Sequence, residues 1–165
     1  LVRADVLITT GGLSVGQGDT VKDVLAPLGS VRFDAVAMSP GRQLGVGTVE
    51  GTPIFCLPGD PVSAQIAFET FVRPVLRQIA GWSALHRSSL PAVVSAGWRS
   101  PAGKREFVPV HLTGSPTKGY RASPVAAPGT TPLLGLARAN AIAVVPEDTR
   151  TVVAGDRLHC LLLDA

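Results

Sequence analysis

Three short polar stretches carry the residues best suited to chemistry in this chain, and each follows an apolar run. The first is Gly11-Gly12-Leu13-Ser14-Val15-Gly16-Gln17-Gly18-Asp19. Glycines let main-chain N–H groups approach a phosphate, and a helix start beyond them adds partial positive charge. Asp19 then either holds Mg²⁺ or positions a leaving group. The second is Ser39-Pro40-Gly41-Arg42-Gln43-Leu44, where Arg42 on a tight loop grips an oxyanion by forked hydrogen bonds or is simply a solvated turn residue. The third is Leu57-Pro58-Gly59-Asp60-Pro61-Val62-Ser63. Here Asp60 suits a helix N-cap and Pro61 the first helical position, which leaves the Ser63 hydroxyl in the first turn, within reach of an anion. A carboxylate sits oddly at an anion site, so Asp60 reads as a cap in preference to a metal ligand shared with Asp19. Any one of these loops alone reads as an ordinary turn.

The elements that must position them follow from the apolar patterning. Residues 5–10 form a short buried strand and a helix covers 21–28, with Val21, Val24, Leu25 and Leu28 on one face. Residues 31–38 read as a strand, Glu50-Gly51 as a hairpin turn and Ile54 to Leu57 as another buried strand. A helix from Pro61 to Gly81 is expected to kink or restart at Pro74, which has no N–H to donate. This is an α/β pattern with a parallel sheet, yet it holds about three strands where a sheet commonly has ~5–6. The start at Leu1 reads as a cut, and the opening half of the domain as missing.

Residues 83–91 read as a linker between a first domain over 1–82 and a second over 92–165. In the second, strand-like runs at 92–98, 105–112, 120–127, 141–146 and 157–163 alternate with turns, and only 131–139 suits a short helix. That makes it a mainly-β sandwich or barrel. Its notable polar groups are Lys104-Arg105 and Thr130-Thr131.

The 165 residues are 45% hydrophobic, with a net charge of +3. That composition provides a core and excludes disorder. No basic run or aromatic RNA motif points to nucleic acid, and no apolar stretch approaches the ~20 residues of a membrane span. The three histidines and two cysteines lack ligand spacing, so no zinc site is expected; Cys56 and Cys160 read as buried thiols of a reducing, cytoplasmic compartment.

Taken in order, the loops are far more specific than singly. DVLITTGGLSVGQGD, SPGRQLGVG and IFCLPGDPVSAQIAFETFVRPVLRQIAG resemble the GGxSxGxxD, KPGKPxxxG and LPGNPVS segments of the molybdopterin molybdenumtransferase family, which includes the gephyrin E-type proteins. GKREF and LARANAIAVVPEDTRTVVAGD resemble that family's C-terminal β domain. The resemblance implies the C-terminal part of a MogA-like three-layer molybdopterin-binding domain followed by a small β domain. It implies transfer of molybdate to adenylylated molybdopterin, giving molybdenum cofactor and AMP with Mg²⁺ assistance, in a homodimer.

By the same resemblance Asp19 serves the metal or phosphoanhydride, and Arg42 and Ser63 face molybdate. Gly11, Gly12, Ser14, Gly16, Pro40, Gly41, Pro58, Gly59 and Asp60 line the substrate site, with Lys104 and Thr131 approaching from the β domain. Four positions depart from the family pattern: Ser39 in place of Lys, Gln43 of Pro, Asp60 of Asn and Pro109 of Arg. Two lost cations and one gained anion predict weaker oxyanion binding. Two further readings remain: a non-catalytic binding or scaffold module, and a molybdopterin adenylyltransferase. The adenylyltransferase lacks the β domain.

Overall fold

The structure, a computed structural model, describes residues 4–13, 20–28, 30–126 and 133–163. It divides into two compact units: residues 1–36 with 41–86, and residues 37–40 with 87–165.

In the first unit, β1 (Leu7–Thr10) lies parallel to β5 (Thr52–Leu57). β5 pairs antiparallel with β4 (Gln43–Val49), and β4 pairs antiparallel with β2 (Val31–Ala35). The order β1-β5-β4-β2 is therefore a mixed sheet with one parallel pair, not the parallel sheet expected. β4 is the source of the difference. Its sequence, QLGVGTV, carries two glycines that argue against a strand, but both are needed for space. A Cβ at Gly45 would stand 2.6 Å from the Phe33 ring, and one at Gly47 would meet the backbone of Ser30 and Val31. Glu50 and Gly51, with φ of 51° and 81°, turn β4 back into β5.

The two sheet faces are covered differently. Leu44, Phe55 and Leu57 bury one face with Ala67 and Val72 from the long helical segment. Ile54, Cys56, Val31 and Leu13 bury the other, with Val21 and Leu25 of α1 (Thr20–Leu25) packed against them. α1 ends in a short 3₁₀ turn, Ala26–Leu28. Val24 and Leu28, expected on its buried face, are 57% and 54% exposed, because six α-helical residues present only one turn to the sheet. The long helix is α2 (Pro61–Ala67), a π turn at Phe68–Val72 and α3 (Arg73–Ile79). The π turn precedes Pro74, so the restart occurs where the missing N–H demands it.

The reading of residues 31–38 as one strand needs a second correction. After β2 the chain turns, with the Val36 N–H donating to the Arg42 carbonyl at 2.7 Å. Met38–Ser39 form a separate strand, β3, that pairs parallel with β8 (Arg105–Ser115) of the second unit. Backbone pairing of Ala37, Met38 and Ser39 with β8 thus draws residues 37–40 into the second unit and out of the contiguous first domain that sequence suggested.

The second unit is a closed barrel. β6 (Ser89–Val94), β9 (Gly119–Pro124), β8, β10 (Ala141–Val145) and β12 (Arg157–Leu162) form the ring β10-β12-β6-β9-β8, which closes through β10–β8. β8 makes closure possible by its length: its first half pairs with β10 and its second half with β9. Alternate residues point inward, among them Ala92, Val94, Val108, Val110, Ala143, Leu158 and Cys160. A short ribbon of β7 (Trp98–Arg99) with β11 (Thr151–Val152) and the helix α4 (Leu133–Arg138) complete the unit. Asn140 ties α4 to the barrel: its amide accepts from the Leu112 N–H at 2.7 Å and donates to the Leu112 carbonyl at 3.0 Å.

Both cysteines are free and fully buried. Burial pushes the Cys56 thiol up, opposed in part by the Thr9 hydroxyl, and pushes Cys160 from 9.0 to about 11. The folded chain therefore holds the Cys160 proton after the unfolded chain has released it. The Cys160 contribution to stability is expected to be level below pH 9 and to fall by roughly 2–3 kcal/mol between pH 9 and 11. Urea unfolding at stepped pH measures this, and Cys160→Ala should flatten that limb of the curve.

Candidate functional site

The glycine loops meet at one edge of the first unit's sheet. β1 and β5 are parallel, so both carboxyl ends lie at the same edge. The Gly11 N–H donates to the Leu57 carbonyl at 2.9 Å, which holds the first loop against the third. A Cβ at Gly59 would come 3.2 Å from the Gly11 Cα. A side chain at residue 59 would push the two loops apart by a few tenths of an ångström, whereas Gly11 is held to glycine by its φ of 85°. Gly12 abuts Val21 of α1, so the first loop also packs under that helix.

Beyond Pro58-Gly59, Asp60 has extended backbone and caps α2, with Pro61 next to it. Its Oδ2 accepts from the Ser63 N–H at 2.8 Å and from the Ser63 hydroxyl at 2.6 Å. Asp60 is thus a cap, and its carboxylate takes the one proton that the Ser63 hydroxyl has to donate. Ser63 is buried, 7% exposed, and a Cβ on Gly41 would stand 3.0 Å from its carbonyl. The second loop therefore re-enters this unit directly over the first turn of α2. Arg42, the next residue, is exposed.

The second unit makes its own juxtaposition. β3 places Met38 opposite Arg105 and Ser39 opposite Glu106, so the Ser39-Pro40 segment runs beside the GKREF strand that Lys104 precedes. Lys104 is half-buried. Arg105 forks onto Glu147 at 3.0–3.3 Å, and Glu147 is held below the usual carboxylate range by its own backbone N–H and then by Arg105. Glu106 is buried and accepts from the Trp98 indole N–H at 2.9 Å. Sequence reasoning did not single out Glu106, since nothing in GKREF distinguishes a buried carboxylate from an exposed one.

Ser14, Gly16, Asp19 and Thr131 lie outside the described residues. Among the described residues no three His, Cys, Asp or Glu side chains group to hold a metal, and no helix is long and apolar enough to cross a membrane.

The same sheet edge also carries a pocket of about 150 Å³ under α1. The ends of β2 and β4 form it with Leu13 and Lys22, and its walls include Phe33, Asp34, Ala35, Gln43 and Leu44. Leu13, Gln43 and Leu44 belong to the first and second polar stretches, but no motif marks Lys22, Phe33, Asp34 or Ala35. Topology alone brings them together, because β2 ends where β4 begins.

With this geometry in view, the comparisons with known proteins are specific. Residues 1–78 match the family described as a probable molybdopterin binding domain, and residues 91–163 match the MoeA C-terminal region, domain IV. Molybdopterin molybdenumtransferase 2 of Mycobacterium tuberculosis is 41% identical over 164 residues, covering 96% of this chain and 40% of that protein. The chain belongs to the molybdopterin molybdenumtransferase family. Gephyrin of Dictyostelium discoideum is 29% identical over 98% of this chain and 26% of its own length. The crystal structure of a molybdopterin biosynthesis MoeA protein from Pyrococcus horikosii superposes with a TM-score of 0.79 at 25% identity, covering 98% of this chain and 38% of that one. The chain spans about 40% of the length of the transferase it matches.

Within that family the mixed sheet with its helices and the β barrel correspond to the two matched regions in order. The family assignment also disfavours an adenylyltransferase, since the barrel belongs to the MoeA C-terminal region.

Proposed function

We propose that this chain supplies the molybdopterin-binding and C-terminal parts of an enzyme that transfers molybdate to adenylylated molybdopterin, releasing molybdenum cofactor and AMP. The observation that carries this reading is the convergence of Gly11, Gly59, Ser63 and Gly41 at one sheet edge, in a chain whose two halves match the family's domains in order. Gly12 offers its backbone N–H to the nucleotide phosphates, Gly11 holds the loop against β5, and Ser14 and Gly16 are assigned to the same site by the resemblance alone. Pro58 and Gly59 hold the neighbouring turn, and Pro40 and Gly41 deliver Arg42.

Molybdate is a doubly charged tetrahedral oxyanion, and a guanidinium is the group that best matches its geometry. Arg42 is assigned to it, and Lys104 and Thr131 remain candidates on the resemblance alone. Ser63 contributes to this set only after its hydroxyl leaves Asp60. Mg²⁺ belongs to the reading through Asp19. Among the described residues Asp60 is the carboxylate beside the loops, and it is committed to Ser63. Homodimerisation and a cytoplasmic location complete the reading.

One observation favours a second reading, a non-catalytic molybdopterin-binding module: the Asp60 carboxylate occupies the hydroxyl that an oxyanion would need. Cofactor formation from adenylylated molybdopterin and molybdate separates the two. The 165-residue chain is expected to give no turnover unaided, and an enzyme of the relatives' full length carrying this sequence is expected to turn over. In that enzyme Ser39→Lys should tighten molybdate binding by restoring a cation. Turnover at family rates by the 165-residue chain alone would refute this division of labour. Absence of turnover by the full-length enzyme would favour the binding module.

A further inference from the structure

One outer wall of the barrel carries charge of a single sign. Residues 87–165 hold nine lysines and arginines against five carboxylates. Glu106 is buried against the Trp98 indole, Glu147 is taken by Arg105, and Asp156 turns back to accept from the Val153 N–H at 2.8 Å. Three adjacent strands, β12, β6 and β9, contain no carboxylate. Leu158, Ala92 and Ala122 point from them into the core, so the alternate residues face out. Register sets Arg157 opposite Val93 and Val93 opposite Arg121. The two arginines therefore stand in one outward row with Val93 between them, and Thr113 of β8 extends it. Both arginines are exposed, and neither joins an ion pair among the described residues.

Neighbouring strands lie about 4.8 Å apart, which puts the two arginine backbones roughly 9.6 Å apart across the row. A polyproline II segment rises about 3.1 Å per residue with about three residues per turn. Its positions i and i+3 therefore share one side and stand about 9.3 Å apart. A regular β-strand does not match, since i and i+3 point to opposite sides and i and i+2 are only about 6.8 Å apart. We propose that this wall docks an extended acidic segment of a partner protein, in polyproline II form, with carboxylates at every third residue. The segment crosses the strands at right angles. Each arginine forks onto one carboxylate, and the residues between them lie over Val93. The long arginine side chains take up the curvature of the wall.

The wall lacks what other polyanions use. No Phe, Tyr or Trp faces out from β12, β6 or β9, because Tyr120 packs inward, so single-stranded RNA finds no ring to stack on. Anionic membranes are held by clusters of about four to eight lysines or arginines, and this row offers only Arg121 and Arg157.

The test is fluorescence anisotropy of the 165-residue chain with a labelled twelve-residue peptide that carries glutamate at every third position and proline elsewhere. A second peptide of the same composition has its glutamates in one block. The spaced peptide should bind, and the block peptide should bind about threefold more weakly. Arg121→Ala and Arg157→Ala should each weaken the spaced peptide about threefold, and together about tenfold, as expected for exposed arginine–carboxylate pairs. Arg32→Ala, which removes the same charge from the first unit, should change nothing. Rising salt should weaken binding throughout. Unchanged urea unfolding of the variants separates binding from folding. No binding of the spaced peptide, equal binding of the two peptides, or a doubly substituted chain that binds as tightly as the parent would each overturn the proposal. So would tighter binding of a uridine oligonucleotide, or of vesicles containing phosphatidylserine, than of the spaced peptide at equal ionic strength, since the wall would then belong to that class of partner.

Discussion

Gly47→Ala is expected to lower the stability of the first unit by about 3 kcal/mol, at the upper end of the range for overpacking. The reason is backbone, not rotamer. β4 and β2 pair with Val31 opposite Gly47, and the Thr48 N–H donates to the Ser30 carbonyl at 3.2 Å. A methyl group on residue 47 would point into the Ser30 carbonyl and stand 2.6 Å from the Val31 Cα. Neither can swing aside as a flexible side chain does, so β2 must slide or peel from the sheet edge. Gly51→Ala is the control. Its φ is 81° and nothing lies within 4 Å of an added Cβ, so it carries only the left-handed backbone penalty of about 1–2 kcal/mol. Urea unfolding of both variants decides the matter. A Gly47→Ala loss no larger than that of Gly51→Ala would mean that the close approach of β2 to β4 is not a firm constraint.

The same strand shows where the sequence was legible and where it was not. β1, β5 and the α2 start are readable because apolar runs end abruptly in Gly-Gly or Pro-Gly-Asp-Pro, and those boundaries coincide with strand ends and a helix cap. β4 is hidden because Gly45 and Gly47 serve packing across the sheet, which no local pattern records. β3 is hidden for a related reason: Met38 and Ser39 continue the alternation of β2, but their partner is Arg105–Glu106, far away in sequence. Glycine positions in the loops were legible as a group, since backbone approach needs that residue type. What Ser63 does with its hydroxyl was not, because hydrogen-bond competition between Asp60 and an anion depends on distances of 2.6–2.8 Å. The pocket residues Lys22 and Asp34 were silent as well. They lie on different elements and carry no spacing that sequence could expose.

Asp60→Asn is expected to leave the fold nearly unchanged and to tighten molybdate binding on the order of tenfold or more in an enzyme of the relatives' full length. Asparagine caps helices about as well as aspartate, and its side-chain oxygen can still accept from the Ser63 N–H. The charge lost at the helix start costs at most about 1 kcal/mol. Two effects then favour the oxyanion. A full negative charge leaves the start of α2, where a dianion a few ångströms away would be repelled by several kcal/mol before solvent screening. The Ser63 hydroxyl, now held at 2.6 Å by a charged acceptor, meets a neutral and weaker one and becomes able to turn toward the ligand. Calorimetric titration with molybdate and with tungstate reads the change directly. The gain should shrink as salt rises, because part of it is electrostatic repulsion between groups reachable by solvent. A fold as stable as the parent's with unchanged oxyanion affinity at low salt would place molybdate away from the α2 start, and would remove Ser63 from the proposed oxyanion set while leaving the glycine loops as the nucleotide site.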